Sequence, residues 1–520
     1  MQGGMESAMR IFTDPRHFKL RLFLEGNVIG VFTGLVIALF RYLLEISEIY
    51  TPLAYAWLAE NPVWIPGWLL LLMVVGWILF RILQADGMTS GSGIPQIKGI
   101  LLGRMDMNWA RVLVLKFAGA VLGIGAGLSL GREGPSVQLG ACVGQGIGRL
   151  THRSYAENHY LLTAGAGAGL AAAFNAPLAG VIFCLEELTK NFSPFVLMGA
   201  IAAAVTSTTV TQYFFGMEPV FHMGQIPVAS AGSVYILLIA LGAFVGALGL
   251  AFNCMLTVSL DGFATLPVKG WIKPMVPLLA AGVLGFVLPQ VLGGGSLLVD
   301  SLVVTDYSLR VLLLLLLGKF FFTMLCFGSG VPGGIFLPML VLGSIGGAVF
   351  AKLAVFCGVM EPVWTVNCII FGMAAYFAAV VKSPVTGAVL IMEMTGSFDH
   401  MLALILVSMT AYLVADITNG EPVYDMLLNR SLALQEKIAG AVRRRRVMTE
   451  LTVGMGSALD GVLVREAGWP PGSLLVNVRR GDKELSPNGS LRICEGDYLY
   501  ILSDDGQREK LDRMAREKYS

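Results

Sequence analysis

Charge is what this chain has least of. Only 14% of its 520 residues are Asp, Glu, Lys or Arg, where a soluble domain carries roughly 25%. The two signs cancel to a net +1, so bulk charge marks no partner and no nucleic acid is expected. Paired cysteine chemistry is missing too. Cys142, Cys184, Cys254, Cys326, Cys357, Cys368 and Cys494 are odd in number and show no CxxC spacing, and six lie in apolar surroundings. They read as small buried hydrophobes rather than a disulfide framework or a metal site. His17, His152, His159, His222 and His400 form no ligand pair. No HExxH-like motif, acidic dyad or nucleophile–base pair is apparent, so an enzyme is not expected and no cofactor is called for. Met1 to Asp14 lacks an apolar core before a small-residue cleavage site, which predicts no cleaved signal peptide.

Apolar sequence fills the space that charge leaves. Hydrophobic residues make up 55% of the chain, and its mean hydropathy is +0.72. A membrane span needs about 20 apolar residues to cross roughly 30 Å of hydrocarbon. Runs of that kind cover Val28 to Leu44, Trp64 to Leu83, Val112 to Leu130, Val234 to Asn253, Pro274 to Leu292, Val311 to Phe327 and Leu402 to Val414. Together they predict a multi-pass, all-α integral membrane protein. Arg16, Lys19 and Arg21 precede the first run, and Arg443 to Arg446 follow the last. Basic flanks stay cytoplasmic, so both termini are expected inside and the number of crossings even. The arginine run reads as a solvated linker, with lipid headgroups as its alternative contact.

Glycine is abundant, at 63 residues, and several apolar stretches are too short to span straight, such as Pro135 to Leu150 and Pro384 to Thr395. Short or Gly/Pro-interrupted segments predict broken and tilted helices around a polar site. The chain also repeats itself. Leu162 to Glu187 aligns with Ile369 to Met394, placing Gly165 on Gly372, Pro177 on Pro384, Gly180 on Gly387 and Glu186 on Glu393. Upstream, Gly131 to Pro135 aligns with Gly328 to Pro332, which implies about ten residues inserted between the matched blocks. Duplicated halves are typical of transporters, often in inverted topology. The composition changes near the end: residues 1–430 read as the membrane part, 431–447 as a basic helical cytosolic linker, and 448–520 as a small soluble α+β domain. In that tail Ser473 to Arg479 and Ser490 to Leu502 are expected as strands. Turns are expected at Gly481-Asp482 and Pro487-Asn488-Gly489, and helices over Ala458 to Ala467 and Gly506 to Lys518.

Four segments carry candidate chemistry: Gly91-Ser-Gly-Ile-Pro95, Gly131-Arg-Glu-Gly-Pro-Ser136, Gly328-Ser-Gly-Val-Pro-Gly-Gly-Ile-Phe-Leu-Pro338, and Tyr424 within Glu421-Pro-Val-Tyr-Asp425. Their common physics is anion binding at helix starts, where unpaired N–H groups and the positive end of the helix dipole stabilise a negative ion. A full Lys or Arg charge would hold a dehydrated halide too tightly, and transport requires that the ion leave. Amide and hydroxyl dipoles suit that compromise.

In this order and at these spacings, GSGIP (91–95), GREGP (131–135) and GGIFLP (333–338) resemble the three signatures of the CLC family of chloride channels and proton/chloride exchangers. The resemblance covers roughly residues 20 to 430, with Glu186-Glu187 and Tyr424 included. It implies a homodimer with one pore per subunit, each built from inverted halves. By the same resemblance the hydroxyls of Ser92 and Tyr424, next to Gly93, coordinate a central chloride together with the N–H groups of Ile335 and Phe336. N–H groups around Arg132, Glu133 and Gly134 line an outer site. Glu133 is the implied gate, its carboxylate competing with chloride and carrying a proton, and Glu187 the implied inner proton-transfer residue. The tail, through Val476 to Gly481 and Glu495 to Tyr500, resembles the TrkA-C (RCK-C) domains of regulated channels and transporters. Such domains imply dimerisation and a small regulator such as a nucleotide or cyclic di-AMP.

Each residue has a plainer reading beside the functional one. The plainer reading of Glu133 is a pair with Arg132, although an ionisable group inside a membrane is functional by default. Glu186 and Glu187 can form a solvated acidic cap, with the match of Glu186 to Glu393 favouring a structural role for that pair. Tyr424 can be an interfacial aromatic residue, and Ser92 an ordinary turn serine. The expected function is proton-coupled chloride exchange in a bacterial inner membrane. A passive chloride channel is the alternative, because channels of the family usually lack the inner glutamate. A fluoride exporter ranks lower because Ser92 is present.

Overall fold

The structure, a computed structural model, describes residues 15–221, 223, 227, 232–417, 420–439, 446–454, 457–480, 483–504 and 507–516. Met1 to Asp14, His222, Arg443 to Arg445 and the turn expected at Gly481-Asp482 lie outside them. The chain divides into two compact units, Met1–Asn429 and Arg430–Ser520.

The first unit is helical, as it must be where no water is present to satisfy a free backbone. Its helices are α1 (Pro15–Glu60), α2 (Ile65–Ala85), α3 (Ile94–Leu101), α4 (Trp109–Gly125), α5 (Glu133–Leu150), α6 (Tyr155–Phe174), α7 (Pro177–Phe183), α8 (Pro194–Phe215) and α9 (Gly232–Thr265). They continue with α10 (Met275–Val287), α11 (Ser296–Val304), α12 (Leu309–Gly328), α13 (Phe336–Phe356), α14 (Thr365–Val381), α15 (Pro384–Thr395), α16 (Met401–Ile417) and α17 (Val423–Ala439). Among the described residues, nine helices are long and apolar enough to cross a membrane. Three of them, α8, α13 and α14, were not among the apolar runs. They are as apolar as α10 and α16; small Gly, Ala, Ser and Thr residues packed on other helices break up their runs of large apolar side chains without lowering the mean. The run Val112 to Leu130 ends early, at Gly125, where Gly127 turns the chain with φ +94°.

Close backbone contact explains the glycines and exposes the repeat. Gly140 on α5 meets the carbonyl of Gly165 on α6, and Gly343 on α13 meets the carbonyl of Gly372 on α14. Gly144 abuts Leu161, and Gly347 abuts Cys368, in the same way. A side chain at any of the four would collide with the neighbouring helix. These pairs fix the offset between halves at 203 residues on α5/α13 and 207 on α6/α14. The expected pairing of Gly131 with Gly328 is therefore wrong. Gly131 corresponds to Gly334, GREGP to Gly334-Ile-Phe-Leu-Pro338, and only four residues separate the two offsets. Shared Gly and Pro letters in a glycine-rich loop misled the alignment.

The halves also cap one another. Glu186 accepts the N–H groups of Val385 (3.2 Å) and Thr386 (2.6 Å) at the start of α15. Glu393 accepts those of Leu178 (3.0 Å) and Ala179 (2.7 Å) at the start of α7. Each carboxylate satisfies orphan donors and the positive dipole end of the other half's helix, as an approximate twofold relation between halves requires.

The second unit holds a four-stranded antiparallel sheet in the order β1 (Arg446–Thr452), β4 (Tyr498–Asp504), β2 (Leu474–Arg480), β3 (Lys483–Leu485). The sheet packs with helix α18 (Arg508–Arg516) around Leu451, Val478, Leu499, Ile501, Leu511 and Ala515. Two expectations fail here. Ala458 to Ala467 is a turn with one 3₁₀ piece, Val464–Glu466, because Gly461 adopts φ +79° and donates to Ile493 instead of continuing a helix. The strand expected from Ser490 starts only at Tyr498, after a turn in which Asp497 donates to Cys494 and Gly496 has φ +78°. Strand β1 falls partly in the stretch expected as linker. Buried Asp497 accepts two bonds from Arg480, at 2.7 and 2.8 Å, and one from the N–H of Cys494 at 2.9 Å.

Two predictions come from this packing. Glu186→Ala and Glu393→Ala should each lower unfolding free energy by about 1–2 kcal/mol, the range of a lost N-cap, and by comparable amounts. Unfolding of the purified protein in detergent reads both. In the tail, burial raises the Asp497 carboxyl, but the bonds from Arg480 and Cys494 outweigh it and hold the group below its ordinary range. A depressed carboxyl stabilises fully above the ordinary value of about 3.9 and loses that contribution as pH falls through the depressed one. Protection of the Leu499 and Ile501 amides should thus weaken below about pH 4, and Asp497→Asn should remove that acid step while lowering protection at neutral pH.

Candidate functional site

Three glycine loops meet at the middle of the first unit. Gly131 and Gly334 exchange hydrogen bonds in both directions, at 2.6 and 2.8 Å. Gly91 donates to Gly330 (3.3 Å) and accepts from Gly333 (2.9 Å). Gly134 sits so tightly on Ser92 that an added Cβ would stand 2.8 Å from the serine Cβ. The joined loops bring together the starts of α3, α5 and α13, from three separate parts of the chain. The first N–H groups of a helix have no carbonyl of their own helix to bind, so this junction concentrates donors and positive dipole ends in one place.

The expected site residues fall as follows. Ser92 is buried just before α3, its hydroxyl accepting the N–H of Ile94 at 3.2 Å. Gly93, with φ +94°, caps the start of α3 from the position before it. Arg132 and Ile335 occupy corresponding positions immediately before α5 and α13, and Phe336 is the first residue of α13. Phe336 is buried, its ring 5.3 Å from that of Phe174 and 4.7 Å from that of Phe377. Glu133 is fully buried, and one carboxylate oxygen accepts the N–H of Leu337 at 3.3 Å. Its other oxygen has no hydrogen-bond partner among the described residues. The Arg132 guanidinium lies 3.9 Å from it and 3.9 Å from Glu45. That is charge proximity rather than a hydrogen-bonded pair, so pairing with Arg132 does not account for Glu133. Tyr424 is buried, so it is no interfacial aromatic. Its hydroxyl has no hydrogen-bond partner among the described residues and stands where it feels the charges of both Glu187 and Glu133.

Glu187 stands apart from the three-loop junction. It is almost fully buried on a π-helical turn, Cys184–Leu188, and so is not a solvated cap. Lys98 donates to it at 2.7 Å and the Ser383 hydroxyl at 2.8 Å. Lys98 also pairs with Asp425, the residue after Tyr424.

Besides Lys98, two more buried lysines escaped sequence reasoning. Lys116 on α4 donates to the carbonyls of Thr89 (3.0 Å) and Gly91 (2.6 Å), and Lys319 on α12 to those of Val291 (3.1 Å) and Gly293 (2.7 Å). These are equivalent positions of the repeat. Gly91 and Gly93 have φ +61° and +94°, Gly293 and Gly295 +60° and +97°, and each pair leads into a short helix. Each lysine directs its charge to a loop's carbonyl oxygens. In the second half the position of Ser92 is taken by Gly294, so only one copy offers a hydroxyl. A lone lysine in an apolar run was the available signal.

The chain is similar to known proteins over both units. Residues 69–416 match the family described as Voltage gated chloride channel, and residues 448–516 match the TrkA-C domain. The H(+)/Cl(-) exchange transporter ClcA of Vibrio parahaemolyticus is 36% identical over 82% of this chain and 93% of its own length. The protein of the same name from Citrobacter koseri is 36% identical over 83% of this chain and 93% of its own. Among solved structures, a slow cyanobacterial Cl-/H+ antiporter superposes with a TM-score of 0.75 at 31% identity, covering 80% of this chain and 99% of that one.

Lys116→Met leaves the carbonyls of Thr89 and Gly91 without their charged donor. Amide exchange across Gly91 to Ile94 should accelerate by about tenfold or more, the equivalent of one lost charged hydrogen bond. Exchange in the body of α5 should stay as it is.

Proposed function

The chain belongs to the voltage gated chloride channel (CLC) family, and from that premise we propose that it carries chloride across the membrane in exchange for protons, with Glu133 as the gate. The observation that carries this reading is the seat of the Glu133 carboxylate. It is bonded to an N–H of the first turn of α13, where donors and dipole favour an anion. An ionised carboxylate competes there with chloride. A protonated one has lost its charge, releases the helix start and yields to the ion, so one side chain alternates between the two substrates. Chloride on the inner side of that seat meets the hydroxyls of Ser92 and Tyr424 and the N–H groups of Ile335 and Phe336. The outer site draws on backbone N–H groups from Arg132 to Gly134.

Glu187 supplies or removes the proton from the inner side. A second reading is passive chloride flow through the same pore; on its side stands the contact of Lys98 with Glu187, which opposes protonation of a carboxyl that burial otherwise keeps neutral. Ser92 argues against a fluoride exporter. The family resemblance further supports a homodimer with a pore in each subunit. The basic residues beside the first span support cytoplasmic termini, and the bacterial relatives support an inner-membrane location. We assign residues 1–430 to transport, 431–447 to a linker and 448–520 to regulation, with a nucleotide or cyclic di-AMP as the regulator.

In proteoliposomes with separately imposed chloride and pH gradients, the reversal potential should move with the pH gradient. Glu133→Gln should pass or bind chloride without pH dependence. A reversal potential indifferent to pH selects the channel reading, and wild-type pH dependence in Glu133→Gln removes Glu133 from the gate. Cyclic di-AMP or a nucleotide should raise the unfolding temperature of the full-length protein. No shift with any of them removes the assigned regulators.

A further inference from the structure

Four charged side chains run in alternating sign from the buried inner glutamate to the surface of the first unit. Lys98 on α3 donates to Glu187 at 2.7 Å and also pairs with Asp425 on α17, and Lys190 donates to the other oxygen of Asp425 at 2.6 Å. Side-chain exposure rises at each step, from 1% at Glu187 to 5% at Lys98, 25% at Asp425 and 53% at Lys190. The four come from α3, the π turn, the loop after it and α17, so the series is tertiary and not a product of local spacing. Around Glu187 the remaining polar neighbours are Ser383, which donates at 2.8 Å, and Tyr424, which feels its charge. Glu186, on the same turn, is occupied at the start of α15.

Stability alone gives a poor account of this series, because well-packed apolar residues replace buried ion pairs at little or no loss. A lysine held between two carboxylates has a use that an isolated pair lacks. When Glu187 gains a proton, the Lys98 charge keeps Asp425 as its partner, and Lys190 meets solvent at the far end. The cluster's charge can thus change by one without stranding an unpaired ion.

Resting on the exchange reading above, we propose that Asp425 is the inner proton entrance of this transporter and Lys98 the relay from it to Glu187. Asp425 takes a proton from water. The Lys98 ammonium passes one of its protons across the 2.7 Å contact to Glu187, becoming a neutral amine beside a neutral acid, and then takes the proton that Asp425 holds. Lys98 ends as it began, Asp425 is again ionised, and one proton has moved inward. The reverse sequence returns a proton to the inner solution.

The test compares wild type with Asp425→Asn, Lys98→Met and Lys98→Arg in liposomes, recording chloride efflux and proton uptake together. Arginine keeps the ion pairs but does not give up its proton, so it separates relay from positioning. All three variants should show proton transport per chloride reduced by at least about a hundredfold, the low end of what a positioned acid or base contributes. Persisting chloride efflux shows that they fold. Wild-type coupling in Asp425→Asn overturns the entrance, and wild-type coupling in Lys98→Arg overturns the relay. Coupling absent from the wild type overturns the exchange reading itself and, with it, this role.

Discussion

A bilayer protein that binds a small anion and must let it go cannot rely on a fixed cation at the site. In the low dielectric of the membrane, a full charge beside a halide is a trap. The remaining resource is the backbone, and backbone donors become available only where helices start. Hydrogen bonds in both directions between Gly131 and Gly334 hold two helix starts together, one from each half of a duplicated chain. Ser92 closes on them from a third through its contact with Gly134. Side chains larger than hydrogen would keep these loops apart. The lysines nearest the loops obey the same rule, since Lys116 and Lys319 direct their charge to carbonyl oxygens.

Duplication then supplies asymmetry. The position of Glu133 in the first half is Phe336 in the second, and the carboxylate of one half reaches the first turn of the other. A symmetric pair of helix starts would make a static anion site. On the proposed reading, one carboxylate and one apolar residue give the same scaffold an internal competitor that protonation can switch off. The reciprocal caps of Glu186 and Glu393 keep their symmetry, as suits residues whose work is structural.

Much of this was legible in the sequence, and the failures have physical reasons. Low charge and long apolar runs gave the membrane class, and ordered Gly-Pro segments gave the loops that converge. The sequence match between Glu186 and Glu393 pointed to a structural role for that pair, though not to the reciprocal caps. Helices α8, α13 and α14 are apolar enough to span but stayed hidden because the small residues at their helix contacts interrupt the runs of large apolar side chains. The register of the upstream repeat was misread because loop glycines match one another by composition, whereas the contacts of Gly140 and Gly343 define it. Lys98, Lys116 and Lys319 were missed as isolated charges with no local motif, and Asp425 was passed over beside Tyr424. Their partners lie on other elements, which spacing along the chain does not reveal. In the tail, Gly461 and Gly496 in left-handed backbone broke a helix and a strand that hydropathy alone favoured.

The central claim is that converging helix starts and two hydroxyls, without a fixed cation, form the ion site, and that Glu133 competes for part of it. Anomalous diffraction from bromide-soaked crystals addresses this directly. The account predicts a peak bounded by Ser92, Tyr424 and the N–H groups of Ile335 and Phe336, and a second in Glu133→Gln where the carboxylate now sits. Bromide found only beside Lys or Arg side chains, with none at the junction of the three loops, would contradict it.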